Sequence, residues 1–286
     1  MAENHPIGMK WLMKGRFDPQ RQTKIIHVDP RFTRTSAIAD IYCPMRSGTD
    51  IAFLGGMVKY ILDNELYHKD LSYTNAAFLI RDDFDFQDGL FSGFDTAKGS
   101  YDTSSWDYKY DEGGNIMQDP TLQDPRCVFQ LMKKHYSRYD IDTVCSITGS
   151  PKKKYEEVLK LYCSTSAPDQ TGCINYAMGI TQHTVGSQNV KAFTIVQLLL
   201  GNMGRAGGGI NALRGENNVQ GATDMALLFH ILPGYIDSPT ASAAYKDLIS
   251  YIRKTTPGVG KLPFTNLTEL RALVGKSTPP SGSSVL

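Results

Sequence analysis

Short β-branched runs that stop at a proline or glycine and hand over to helical periodicity constrain this chain more than any other feature. Thr23–Pro30, TKIIHVDP, is one such run and reads as a buried strand. After a loop, GTDIAFLGGMVKYILDN sets Ile51, Leu54, Val58, Ile61 and Leu62 on one helical face, with Thr49 or Asp50 as the natural N-cap. AAFLIR, Ala76–Arg81, is a second candidate strand. Gly172–Ile180, GCINYAMGI, reads as a strand, TQHTVGSQ as a loop, and NVKAFTIVQLLLGNMG as a helix stopped by Gly201 and Gly204. Strands separated by helices, repeated along a chain, indicate an α/β unit with a largely parallel sheet. In such sheets the ligand sits beyond the carboxyl ends of the strands.

The rest of the chain fits around that frame. Residues 82–120 are aromatic, acidic and glycine-rich without helical period, and read as a long surface excursion holding a hairpin and packed by its own rings. DPRCVFQLMKKHYSRY is helical, and SPKKKYEEVLKLYCSTS starts a helix with Ser150 as cap and Pro151 at its first position. The expected division is a dinucleotide-binding α/β domain over 1–215 and the start of a second α/β domain over 216–286, with a disordered tail from 275. A chain of 286 residues with 41% hydrophobic and 21% charged content folds as a soluble globular protein. Its net charge of +1 supplies no field for collecting nucleic acid. VKAFTIVQLLLG is too short and too interrupted to span a bilayer, and no signal peptide is visible. The five cysteines are an odd count with no short metal-type spacing, and read as buried thiols.

Several motif matches fail on inspection. Val274–Thr278, VGKST, has Leu270 where a phosphate-binding loop needs glycine. Gly207–Ala212 fits a dinucleotide fingerprint but follows a helix, where a strand should feed the turn. DFDFQDG from Asp83 has Asp88 where a calcium loop turns on glycine.

The loops after strands carry better candidates. Asp29 ends a strand and can accept from ribose hydroxyls or a base edge, and Arg31 can fork onto a phosphate; the alternative is a turn-forming Asp-Pro with a surface arginine. Asp50 is either a cap or a guanine reader, since a carboxyl group accepts from the ring N–H and amino group together. Gln182, His183 and Thr184 lie past a strand and can bond a planar heterocycle, or His183 is structural. Gly201–Asp224 is rich in glycine and amides. Glycines let main-chain N–H groups approach a ligand, and Asn217, Asn218 and Gln220 each offer a donor and an acceptor. Together they suit a large polar ligand with many ring nitrogens and carbonyl oxygens, and no set of side chains here forms a metal site. Beside an anionic substrate Arg214 would orient a carboxylate bidentately; the alternative is a glycine-rich surface loop without function.

At this point four motifs in order matter together: VDPRFTRTSAIADIYCPMRSGTDIAFL, GITQHTVGSQN, LLLGNMGRAGGGINALRG and ALRGENNVQGATDM. They closely resemble the catalytic subunit of molybdenum- or tungsten-dependent formate dehydrogenases, in the dimethyl-sulfoxide-reductase superfamily, from about residue 1 to about 237. The excursion resembles the membrane-associated respiratory type, which implies a periplasmic complex in anaerobic respiration. The resemblance implies a Rossmann-like three-layer α/β fold within a larger multidomain oxidoreductase, bis-molybdopterin guanine dinucleotide with molybdenum or tungsten as cofactor, and oxidation of formate to carbon dioxide. It implies that Arg214 positions formate. Gln182, His183 and Thr184 contact pterin, and Asp29, Arg31 and Asp50 lie near a guanosine end. Gly215, Asn217, Asn218 and Gln220 line the pterin side, with Glu216 standing where relatives have Gln or His. The implied partners are the rest of the catalytic subunit, an iron–sulfur beta subunit and a membrane cytochrome subunit.

The departures are as specific. The four-cysteine motif that holds an iron–sulfur cluster in the full subunit is absent. No cysteine is followed by the histidine that follows the metal-bound selenocysteine or cysteine: the neighbours are Pro44, Val128, Ser146, Ser164 and Ile174. The closing β-barrel is missing, and residues beyond Pro239 match the family poorly. An internal piece of a selenoprotein subunit, inactive alone, is the expectation. A non-catalytic pterin-binding or assembly module, and a related oxidoreductase with another substrate such as nitrate, are the alternatives. Sequencing upstream DNA separates the first two: no in-frame cluster and selenocysteine region would refute the piece.

Overall fold

A computed structural model describes residues 1–21, 23–87, 89–216, 218–225, 227 and 247–255. The motif match at 274–278, the tail from 275, Asp88 and Asn217 lie outside these residues. The chain divides into two compact units, Met1–Leu213 and Arg214–Leu286.

The first unit is mixed α/β with small parallel sheets. Helix α1 (Pro6–Phe17) leads to strand β1 (Ile26–Val28), helix α2 (Arg34–Ile38), strand β2 (Ile41–Cys43) and helix α3 (Asp50–Asp63). β1 and β2 are parallel, with Ile26 opposite Ile41 and Val28 opposite Cys43. The crossover between them is the five-residue α2, which Thr33 starts through a reciprocal capping box with Ser36. Beyond the excursion come α4 (Val128–Tyr136), α5 (Ile141–Thr148) and α6 (Lys152–Cys163). The second parallel pair is β7 (Cys173–Tyr176) with β8 (Gly209–Ala212), joined through α7 (Met178–Thr181) and α8 (Gly186–Leu199).

Helix α3 is the centre of the core. Phe53, Leu54, Met57, Val58, Ile61 and Leu62 are all buried, and α8, α5, α4 and α6 pack around them. Tyr155 of α6 is wholly buried; its hydroxyl donates to Phe53 O at 2.7 Å and its ring meets Phe53 edge-on at 4.7 Å. Gly55 and Gly56 let these rings approach: a Cβ on Gly55 would lie 2.9 Å from the Tyr139 ring, and one on Gly56 would strike the Tyr155 hydroxyl.

The excursion holds two antiparallel ribbons, β3 (Phe86–Gln87) with β4 (Leu90–Phe91) and β5 (Phe94–Asp95) with β6 (Ser100–Tyr101). Its rings pack on one another, Phe91 on Trp106 at 5.1 Å and Trp106 on Tyr101 at 5.0 Å.

Four readings need correction. Ala76–Arg81 is not a strand of the parallel sheet. Phe78, Leu79 and Ile80 make isolated antiparallel bridges to Gln118, Cys127 and Tyr108, so this β-prone run closes the neck of the excursion. The strand beside β1 is Ile41–Cys43, which the sequence reading passed over as loop. Gly172–Ile180 is a strand only over Cys173–Tyr176 and turns helical at Met178. Ser150 is not the cap of α6: its hydroxyl donates to Pro44 O at 2.8 Å, and Pro151 occupies the cap position.

The second unit contains α9 (Val219–Asp224) and α10 (Leu248–Thr255), on which Tyr251 and Ile252 are buried. Among the described residues no helix is long and apolar enough to cross a membrane.

Candidate functional site

The carboxyl end of β2 feeds α3, and the carboxyl end of β7 feeds α8 through α7. The two helices pack with like ends together. His183 Nδ1, just before α8, lies 3.7 Å from Asp50 Oδ2, the first residue of α3. After the other ends, His68 N donates to Leu199 O at 2.7 Å. Two helix N-termini, each carrying partial positive charge, therefore converge beside the strand ends.

Asp50 is 8% exposed, and its Oδ2 is buried without a hydrogen-bond partner. The cap position is Thr49, whose hydroxyl instead donates to Arg46 O at 2.6 Å, so neither residue caps α3 with its side chain. Thr49 is thus the N-cap by position, one of the two residues the sequence offers, and Asp50, the first helical residue, keeps an Oδ2 that accepts no hydrogen bond from the protein. A buried acceptor without a partner costs free energy, on the order of 1–3 kcal/mol, and a native chain carries one where something else supplies the donor.

Asp29 follows β1. Its Oδ1 accepts from Arg31 N at 2.7 Å, closing the turn, while Oδ2 lies 3.7 Å from His27 Nε2. The Tyr42 hydroxyl donates to Asp29 O at 3.1 Å, and His27 Nδ1 meets Ser36 Oγ at 2.9 Å. Burial lowers the His27 pKa; the Asp29 carboxyl opposes that shift. One oxygen of the Asp29 carboxyl thus closes the turn after β1. Arg31 is exposed beside Phe32, which is 64% exposed and lines a surface depression with Glu3, Arg31, Thr33, Arg34 and Ala37. The Phe32 ring meets Tyr42 edge-on at 5.2 Å.

Gln182 ends α7 and is exposed, its Nε2 reaching Met178 Sδ at 3.4 Å; Thr184 is exposed. The loop is anchored from below by Asn189, fully buried, whose Nδ2 donates to Ile180 O at 3.1 Å. Gly186 has no room for a side chain, since a Cβ there would strike Thr181 O.

At the other strand end, Leu213 N donates to Tyr176 O at 2.7 Å, and the chain passes at once to Arg214. Arg214, Gly215 and Glu216 are exposed. Asn218 holds a left-handed backbone (φ 51°) and its carbonyl accepts from Ala222 N at 2.9 Å; Gln220 lies on α9 and is exposed. These residues belong to the second unit.

The structure thus joins Asp50 to His183 and Asp29 to Arg31. The sequence reading missed His27, Tyr42 and Ser36 around Asp29, and missed Asn189. The signal for Asn189 was an amide inside an apolar helix. Burial raises the pKa of all five thiols, that of Cys163 to about 12, so none is a ready thiolate nucleophile at neutral pH.

Residues 1–278 match the molybdopterin oxidoreductase family, and the chain belongs to it. The match runs past Pro239, where the sequence reading had placed the end of good similarity. The chain is 55% identical over 258 residues to the formate dehydrogenase subunit alpha of Megalodesulfovibrio gigas, covering 90% of this chain and 25% of that protein. It is 51% identical, over the same shares, to the nitrate-inducible formate dehydrogenase major subunit of Escherichia coli K12. The chain therefore spans about a quarter of the length of these relatives. The acetylene hydratase of Pelobacter acetylenicus superposes with a TM-score of 0.42 and 19% identity, over 66% of this chain and 18% of that one.

Proposed function

We propose that this chain forms part of a formate dehydrogenase catalytic subunit that oxidises formate to carbon dioxide. Identity of 50–55% to alpha and major subunits of that name supports the reaction. The buried, unpartnered Asp50 Oδ2 beside His183 carries the reading of the site. The residues fit a bis-molybdopterin guanine dinucleotide. Asp50 offers an acceptor to the N–H edge of guanine, and Asp29 the exposed part of its carboxyl to ribose. Arg31 offers its guanidinium to a phosphate. The resemblance to the family assigns Gln182, His183 and Thr184 to contacts with pterin, and assigns Gly215, Glu216, Asn217, Asn218 and Gln220 to the pterin side. When bound, the cofactor with its molybdenum or tungsten supplies the acceptor for two electrons.

The chain's own part is placement and charge. Arg214 forks onto the formate carboxylate, holds its C–H toward the cofactor side and offsets negative charge there. An iron–sulfur cluster in the rest of the subunit, an iron–sulfur beta subunit and a membrane cytochrome subunit would supply the path for the electrons, on the periplasmic side. The chain alone does not turn over formate.

The test is steady-state formate oxidation with a viologen dye by the native complex and by its Arg214→Lys and Arg214→Met forms. Loss of one oriented cationic donor set lowers kcat/KM by about 10²–10³-fold, with Lys retaining more than Met because it keeps the charge without the fork. Equal activity in all three forms would remove Arg214 from the reaction, and a native complex inert to formate would remove the reaction itself.

A further inference from the structure

Gln197 stands near the end of α8 and is wholly buried, yet every hydrogen-bonding position of its amide is used. Nε2 donates to Gly172 O at 2.9 Å and to Gly209 O at 2.6 Å. Oε1 accepts from the Tyr162 hydroxyl at 2.8 Å and from Asn202 Nδ2 at 3.0 Å. Asn202 is also wholly buried; its Oδ1 accepts from Gly172 N at 3.1 Å and its Nδ2 donates to Thr165 Oγ1 at 2.9 Å. Gly208 adds a steric stop, for a Cβ there would strike Asn202 O.

The two carbonyls held by one amide are not arbitrary. Gly209 opens β8, opposite Cys173, which opens β7, and Gly172 immediately precedes Cys173. These strands are four residues each, and a slip of one residue turns every side chain to the other face. The ladder ends at Leu213 N–H on Tyr176 O, 2.7 Å, one residue before Arg214. A completely satisfied buried network is specific in a way apolar packing is not, because any misregistration strands its members.

We infer that Gln197 is a positioning residue: it locks β7 and β8 in register at their starts, and so fixes the backbone from which Gln182–Thr184 and Arg214 depart. The role assigned to Arg214 rests on the formate reading above. The register lock itself does not.

The experiment uses the full enzyme containing this chain, with Gln197→Met, which keeps length and removes the amide. Tyr162→Phe is the gentler second variant, removing one donor to Oε1 and leaving both carbonyls held. Amide hydrogen exchange is read at Leu213 and across α3, and KM and kcat for formate are normalised to bound metal. The expected result for Gln197→Met is Leu213 exchange at least ten times faster with α3 amides unchanged. kcat/KM per bound metal falls at least fivefold, since a merely structural defect would lower metal loading and leave kcat/KM per metal alone. Tyr162→Phe shifts both in the same direction by less, and decides the matter if Gln197→Met does not fold. Leu213 exchange unchanged, or faster only in step with α3, overturns the lock. Faster Leu213 exchange with kcat/KM per metal unchanged overturns the link to Arg214, and a wild-type enzyme inert to formate overturns the formate reading while the exchange result still decides the lock.

Discussion

Two carboxyl oxygens on Asp50 separate a structural role from a binding one. Were Asp50 a cap, its loss would cost about 0.5–2 kcal/mol. Its Oδ2 accepts no hydrogen bond from the protein and only lies 3.7 Å from His183 Nδ1, so Asp50→Asn should lower the melting temperature little. The same change sets an amide N–H₂ against the amino edge of guanine, and guanine nucleotide recovered from the purified protein should fall at least tenfold. A large loss of stability with nucleotide content intact would return Asp50 to the capping role. Histidines set a second expectation at this scale. Burial lowers the pKa of His27, and burial with the nearby Arg138 guanidinium lowers that of His135. The unfolded chain, with histidines near about 6.5, then binds more protons than the folded one just below that pH. Stability is fully present above about 6.5 and is lost as pH falls toward the folded values. Melting temperature should drop between pH 7 and pH 5.5, and the His27→Gln, His135→Gln double variant should flatten that slope. An unchanged slope would contradict the burial argument.

Among the elements, α3 is the one whose packing is most exacting. Gly56→Ala places a methyl against the Tyr155 hydroxyl and within 2.8 Å of Val144 Cγ2, where both neighbours are fully buried. Overpacking of this kind costs about 1–3 kcal/mol, and a thermal melt of the protein carrying the change should show it. An unshifted melt would mean that α3 and α6 can move apart. α3 was also the element most legible in the sequence, because a 14-residue helix repeats its apolar face often enough to be read. β2 was not legible: three residues carry no periodicity, and Ala76–Arg81 looked more strand-like than Ile41–Cys43. Local β preference does not say which sheet a run joins. Asp29, Arg31 and His183 could be picked out because each lies past a run read as a strand, and Asp50 because it stands at a legible helix start, whereas Gln197 and Asn202 could not. Their role depends on Gly172, whose carbonyl lies 25 residues from Gln197 and whose N–H lies 30 residues from Asn202 in the chain, a relation no spacing encodes.

For the whole molecule, charge and hydrophobicity alone left the class open, and the order of four motifs narrowed it. The family is settled by a match over residues 1–278, while substrate and cofactor rest on a quarter-length similarity and on one rim of buried and exposed polar groups. The central claim is that the ends of the parallel strands were shaped to grip a pterin joined to guanine nucleotide. The most direct measurement is acid hydrolysis of the native complex containing this chain, with the released nucleotide identified and counted per chain. The account predicts two equivalents of guanosine monophosphate. Recovery of no nucleotide, or of a cytidine nucleotide in its place, would contradict it.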